Sequence, residues 1–272
     1  MQNSIRAIKI MNNNPIGLFD SGMGGLSVWK EIRAALPSES LIFFGDGVRC
    51  PYGSRAESEV LQFTVEAVER LIAEGCKLIV IACNTATAVA IDYLREHYAD
   101  IPFVGLEPAV KPAALTTKSG VVAVLATERS LSGRLFVQTS AKYADKVQII
   151  KSVGHDFVEI VEQGEECSAR AEAAVRAVIE PIIEAGADRI VLGCTHYPFL
   201  RTTIEGVIGD REVEIIDSGS AVSRRVAQLL DENNLRAAED HTPDYRFITL
   251  GDENYLKQLQ RRAYGCCSKE KA

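Results

Sequence analysis

Short runs of Val, Ile, Leu and Phe recur along the chain, apolar at consecutive rather than alternate positions. Such runs suit strands buried on both faces of a parallel sheet. They predict strands at Ile16–Phe19, Leu41–Phe44, Leu78–Ala82 and Phe103–Leu106, then at Val121–Ala126, Val147–Ile150, Arg189–Gly193 and Glu214–Ile216. Between the runs the period changes. Leu26, Trp29, Ile32 and Leu36 fall three to four apart, as do Val60, Thr64, Ala67 or Val68, and Leu71. That is helical spacing. A longer Ala-, Val- and Ile-rich helix is expected from Ala169 to Glu184, kinked or divided at Pro181. The alternation predicts an α/β fold of βαβ units with mainly parallel sheets.

The second set of strands repeats the first. Ile16 and Val121 are 105 positions apart, Leu41 and Val147 106, Leu78 and Arg189 111, and Phe103 and Glu214 111. This reads as a duplication of about 110 residues, hence two pseudo-symmetric lobes. Ligands of open α/β sheets sit beyond the carboxyl ends of the strands, so two facing lobes would share one cleft. Past Ser218 the pattern predicts a helix near Ala221–Asn233, a linker at Asp240–Pro243, a late strand at Arg246–Leu250 and a polar helix. The expected division is residues 1–106 with 218–272 as one lobe and 107–217 as the other. Residues 1–14 and 265–272 are expected to be flexible.

Composition narrows the function classes. With 47% hydrophobic and 25% charged residues, disorder over most of the chain is excluded. A net charge of −7 argues against nucleic-acid partners, while a local pocket for one small anion stays open. No apolar run approaches the roughly 18 residues of a membrane span, and Met1–Asn14 is too polar for a signal peptide. The cytoplasm is the expected compartment. The seven cysteines (Cys50, Cys76, Cys83, Cys167, Cys194, Cys266, Cys267) are then expected to be thiols.

Two of those thiols stand apart. Leu78–Ala82 runs into Cys83-Asn84-Thr85, and Arg189–Gly193 into Cys194-Thr195-His196-Tyr197-Pro198. Cys83 and Cys194 are 111 residues apart, the offset of the strands they follow. A lone cysteine at a strand end is usually a small buried residue. Two at matching repeat positions would put one thiol on each side of the cleft, the arrangement for removing a proton from one face of a carbon and returning one to the other. Each is also expected to open a helix, whose N-terminus favours a thiolate and offers free amides to a carboxylate. His196 is a plausible proton partner for Cys194. Asp20 could cap a helix, orient a base or bind an ammonium group. Its loop, Asp20-Ser21-Gly22-Met23-Gly24-Gly25, allows close backbone approach to a ligand but lacks the spacing and lysine of a P-loop. Tyr52 and Gly53 either form a plain turn or line the cleft. No Cys/His spacing supports a zinc site.

Four segments together resemble the glutamate racemases of the aspartate/glutamate racemase superfamily: Gly17–Ser27 (GLFDSGMGGLS), Cys50–Gly53 (CPYG), Val80–Thr87 (VIACNTAT) and Val191–Pro198 (VLGCTHYP). The resemblance extends over about Pro15 to Gly219. It implies two α/β lobes with the active site between them, and interconversion of L- and D-glutamate without pyridoxal phosphate or metal, supplying D-glutamate for peptidoglycan synthesis. It implies Cys83 and Cys194 as the acid/base pair, Asp20 assisting Cys83, and His196 with Glu162 assisting Cys194. Glu159 and Glu165 compete for the last role. Substrate contacts would come from Asp20, Ser21, Tyr52, Gly53, Asn84, Thr85, Thr127, Thr195 and His196, and a homodimer is expected. Gly47 departs from the polar residue usual after Asp46, and nothing past about Asp240 receives a role. Other readings of the same residues are an aspartate racemase, a small-ligand binding module using the glycine loop, and a thiol hydrolase using Cys194 and His196.

Overall fold

The computed structural model describes residues 12–264; the expectation of flexible ends at 1–11 and 265–272, and the pair Cys266–Cys267, lie outside the described residues. Residues 12–14 form a turn into the first strand. Nine strands follow in chain order: β1 (Ile16–Asp20), β2 (Leu41–Gly45), β3 (Leu78–Ile81), β4 (Phe103–Gly105), β5 (Val121–Ala126), β6 (Gln148–Val153), β7 (Arg189–Leu192), β8 (Glu214–Asp217) and β9 (Tyr245–Thr249). The helices are α1 (Leu26–Ala35), α2 (Glu57–Ala73), α3 (Asn84–His97), α4 (Val110–Thr116), α5 (Glu128–Ser132), α6 (Arg134–Ala141), α7 (Phe157–Gln163), α8 (Ala169–Glu184), α9 (Arg201–Ile208), α10 (Gly219–Glu232) and α11 (Glu253–Tyr264).

Every strand pairing is parallel. The first sheet runs β4-β3-β1-β2-β9 and the second β6-β5-β7-β8. Read from its other edge, the second sheet is β8-β7-β5-β6, the order of the first four strands of the first sheet with each replaced by its counterpart in the repeat; β9 has none. The register is shifted by one residue: Ile16 faces Leu78 in the first sheet, whereas Val122, one past the counterpart of Ile16, faces Arg189 in the second. The central strands β1, β3 and β7 are buried at every position, which explains why they lack polar alternation. β6 is half-exposed and runs on through Lys151 and Ser152, beyond its apolar part. The late strand pairs with β2, so the chain returns to the first sheet. There Trp29 of α1 packs against the rings of Tyr245, Phe247 and Tyr264.

One helix prediction needs correction. α8 is continuous through Pro181 rather than divided. Pro181 falls in its last turn, where a missing amide removes a single ladder bond, and the Ala185 amide still reaches the Pro181 carbonyl at 3.1 Å.

The amino ends of the first sheet are tied by a buried ion pair, Lys77 Nζ to Glu39 Oε2 at 2.6 Å. Lys77 also donates to the Asn12 carbonyl, and Glu39 Oε1 accepts the Ala237 amide at 2.9 Å. The opposite, carboxyl ends stay open for chemistry. In each sheet the crossovers diverge around β1 or β5, which leaves a crevice there. Asp20, Cys83, Thr127 and Cys194 sit at or just past the ends of β1, β3, β5 and β7. Among the described residues no helix is long and apolar enough to cross a membrane.

Candidate active site

Cys83 caps α3. Its backbone is extended, and its sulfur accepts the Ala86 amide at 3.5 Å and donates to Ser21 Oγ at 3.5 Å. The Thr87 amide bonds the Cys83 carbonyl, so the first-turn amides of Asn84 and Thr85 are the ones left for a ligand. Asp20 is fully buried. Its Oδ2 accepts the amides of Gly22 and Gly25 at 3.2 and 3.0 Å, and its Oδ1 accepts the Thr195 hydroxyl of the other lobe at 3.3 Å. Asp20 therefore acts on Cys83 through its charge. Burial and then that charge push the Cys83 thiol up to about 12, against the bonds from Ser21 and Ala86. Burial likewise raises Asp20, with the His196 charge opposing.

Cys194 has different surroundings. It lies in a bend followed by a 3₁₀ turn, Tyr197–Leu200, and α9 begins only at Arg201. The expected helix opening at Cys194 is absent because Pro198 has no amide to continue an α-helical ladder. A side chain takes the place of a helix end: His196 Nδ1 is 3.8 Å from the Cys194 sulfur. Its Nε2 is 2.6 Å from Glu162 Oε1 on α7. The same Oε1 accepts the Met23 amide at 2.7 Å, and Oε2 accepts the Tyr255 hydroxyl at 2.9 Å. Burial opposes charge on His196, but hydrogen bonds to Cys194, Cys50 and Glu162, with the Glu162 charge, hold the imidazole protonated well above its ordinary range. Burial would raise Glu162, yet His196, Met23 and Tyr255 together keep it below the usual carboxylate range. Of the competing glutamates, Glu159 and Glu165 pair with Arg170 instead.

The glycine loop has a steric explanation. A Cβ on Gly22 would lie 2.2 Å from Glu162 Oε1, and one on Gly24 would lie 2.4 Å from His196 Nδ1. The glycines admit side chains of the second lobe, so the close approach is to protein rather than to a phosphate.

Both thiols border a cavity of about 370 Å³ between the lobes. Ser21, Tyr52, Gly53, Asn84, Thr85, Thr127, Thr195 and His196 line it with them. Asp20 and Glu162 stand behind its wall, bonded to Thr195 and His196. Thr85 and Thr127 join the lobes through their hydroxyls at 3.0 Å, and a Cβ on Gly53 would lie 3.2 Å from Thr127. Asn84 Nδ2 is buried and has no partner among the described residues, so a donor waits for an acceptor. The Tyr52 hydroxyl is already engaged, donating to Asp46 Oδ2 at 2.6 Å beside Arg49. Its ring forms wall, and its phenol holds the loop that presents Gly53.

Sequence reasoning missed the segment Gly154, His155 and Asp156, which also lines the cavity. The repeat held the signal: this loop follows β6 as the Tyr52 loop follows β2. It also missed Cys50, whose sulfur lies with ligand atoms of Glu162 and His196 inside a 4.8 Å cluster. Those are metal-ligating types from three distant segments, invisible to a spacing rule. The Glu162 and His196 atoms of that cluster bond each other.

Two matching parallel sheets each bring one thiol to a shared cavity. The chain belongs to the Asp/Glu/hydantoin racemase family, whose model matches residues 18–226, and it is an isomerase. It is 43% identical to a glutamate racemase of Herpetosiphon aurantiacus over 92% of this chain and 98% of that one. It is 42% identical to a glutamate racemase of Deinococcus radiodurans over 90% and 84%. Among solved structures, the Escherichia coli glutamate racemase in complex with L-glutamate and the activator UDP-MurNAc-Ala superposes with a TM-score of 0.80 at 33% identity, covering 90% of this chain and 92% of that one. The Francisella tularensis glutamate racemase in complex with D-glutamate gives 0.79 at 28%, covering 92% of each.

Proposed function

We propose that this chain is a cofactor-independent glutamate racemase that interconverts L- and D-glutamate by two-base proton transfer at Cα. The observation that carries the reading is the placement of Cys83 and Cys194, from equivalent positions of two lobes, on the wall of one cavity. One sulfur, as thiolate, takes the α-proton. The other, as thiol, protonates the opposite face. Each turnover leaves the two protonation states exchanged, and solvent hydrogen enters Cα.

Each acid/base step contributes about 10²–10⁴-fold, which is too little for so weak a carbon acid. The rest comes from a cavity that excludes water and from donors facing the developing negative charge. Asn84 Nδ2, the first-turn amides of α3 and the hydroxyls of Thr85 and Thr195 are suited to the substrate carboxylates. Burial and the Asp20 charge disfavour ionising the Cys83 thiol, so forming its thiolate at neutral pH costs free energy. The substrate ammonium brings a positive charge into the cavity and offsets part of that cost. On the other side, His196 passes a proton to or from Cys194, with Glu162 keeping the imidazole oriented.

By the same reading the D-glutamate feeds peptidoglycan synthesis in the bacterial cytoplasm, and the enzyme is a homodimer. The test is a chiral assay of purified protein with D- and L-glutamate in deuterated water, with no cofactor added and with aspartate as the comparison substrate. Racemisation of glutamate with deuterium at Cα is expected. Failure to racemise glutamate, or a preference for aspartate, overturns the assignment.

A further inference from the structure

The C-terminal helix α11 belongs to the first sheet's side of the molecule, where Tyr264 packs on Trp29 and Phe247. Yet it reaches α7 of the other lobe at two points. Arg262 donates to the Val161 carbonyl at 2.8 Å and pairs with Glu166. One end of α11 is thereby fixed beside α7. Nearer its start, Tyr255 donates its hydroxyl to Glu162 Oε2 at 2.9 Å. The other oxygen of that carboxylate holds His196, and His196 faces the Cys194 sulfur. Four groups thus form one line: Tyr255 hydroxyl, Glu162 carboxylate, His196 imidazole, Cys194 thiol.

The space for Tyr255 is made by a missing side chain. A Cβ on Gly47, in the loop after β2, would lie 2.2 Å from Tyr255 Cζ and 2.6 Å from two further ring atoms. The ring therefore fills the place of a side chain at Gly47, and its hydroxyl is held against Glu162. A carboxylate bonded through both oxygens keeps its plane fixed, whereas one bonded through Oε1 alone can turn about its terminal torsion, which is broad and soft. Oε1 keeps its bond to the Met23 amide, so turning would shift it against His196 rather than free it, and would loosen the imidazole facing Cys194.

We propose that Tyr255 is a positioning residue for proton transfer at Cys194, acting through Glu162 and His196 and having no part in the chemistry at Cys83. The inference rests on the two-thiol reading above. Tyr255 touches no reacting atom, so its removal should lower kcat rather than raise KM. Loss of one hydrogen bond to a charged group should cost roughly tenfold.

The experiment combines a double-mutant cycle with ¹⁵N NMR of histidine-labelled full-length protein. Tyr255→Phe, Glu162→Gln and the double variant are compared with wild type. Tyr264→Phe removes a hydroxyl from the same helix away from α7 and serves as the control for packing. Tyr255→Phe should lower kcat about tenfold with KM within about twofold. It should have little further effect once Glu162 is Gln. The His196 ring resonances should shift in Tyr255→Phe and stay in place in Tyr264→Phe. An unchanged kcat with unmoved His196 resonances overturns the proposal, as does an equal loss in the Glu162→Gln background. Should wild type fail to racemise glutamate, the functional reading falls, and the NMR comparison alone still decides whether Tyr255 holds His196.

Discussion

Cys83 and Cys194 occupy equivalent places in a duplicated fold, yet they are served by different means. Around Cys83 the help is mainly backbone: the opening of α3, with one hydroxyl from Ser21. Around Cys194 the helix opening is lost to Pro198, and a side-chain line from His196 through Glu162 to Tyr255 stands in for it. Duplication copied the strand and the sulfur but not the apparatus around them. A helix end is part of the scaffold and cannot be removed by one substitution. A side-chain line can be cut at any member.

The sharpest test of equivalence is removal of each sulfur. Cys83→Ala and Cys194→Ala should each lower racemisation by at least about a thousandfold in the chiral assay, since either leaves one face without its acid/base. Retention of activity in one of them would break the symmetry outright. The next largest effect should expose the difference in support. His196→Asn should cost about a hundredfold in kcat, while Ser21→Ala, which leaves the α3 amides in place, should cost about threefold to tenfold. Equal losses would show that backbone support at Cys83 counts for little.

Two smaller effects probe the contact between lobes. Gly24→Ala would place a Cβ 2.4 Å from His196 Nδ1, so it should destabilise the fold by about 1–3 kcal/mol in urea unfolding and lower activity as the imidazole is displaced. The His196–Glu162 pair should also leave a pH signature. Glu162 titrates below its ordinary 4.5 and His196 above its ordinary 6.5. The pair's contribution to stability is complete between those two values. It is lost as pH falls through the lowered Glu162 value and as pH rises through the raised His196 value. The gap in Tm between wild type and Glu162→Gln should therefore be widest near about pH 5.5 and narrow in alkaline buffer.

Much of this was legible in the sequence, for definite reasons. The inner strands announce themselves as apolar runs because they are buried on both faces. The offset of 111 residues is enough to pair Cys83 with Cys194. Where the reading fell short, the deciding contact was long-range. The edge strand β6 outruns its apolar pattern because Lys151 is exposed and Ser152 is polar. The glycines of the Asp20 loop suggested a ligand, whereas the groups they admit are Glu162 and His196, more than a hundred positions away. Tyr255 is a single aromatic on a polar helix, and its partner is 93 residues distant. No period or motif encodes such a bond, which exists only once β9 has carried the chain back beside β2.

That return has a consequence for how the protein is made. The second sheet has all four strands once Asp217 has left the ribosome, and they come from one uninterrupted stretch. The first sheet starts at Ile16 but waits for Thr249 to supply the strand beside β2. The half synthesised later is thus completed earlier. Until then the apolar edge of Leu41–Gly45 lacks its outer neighbour on the nascent chain and is open to mispairing.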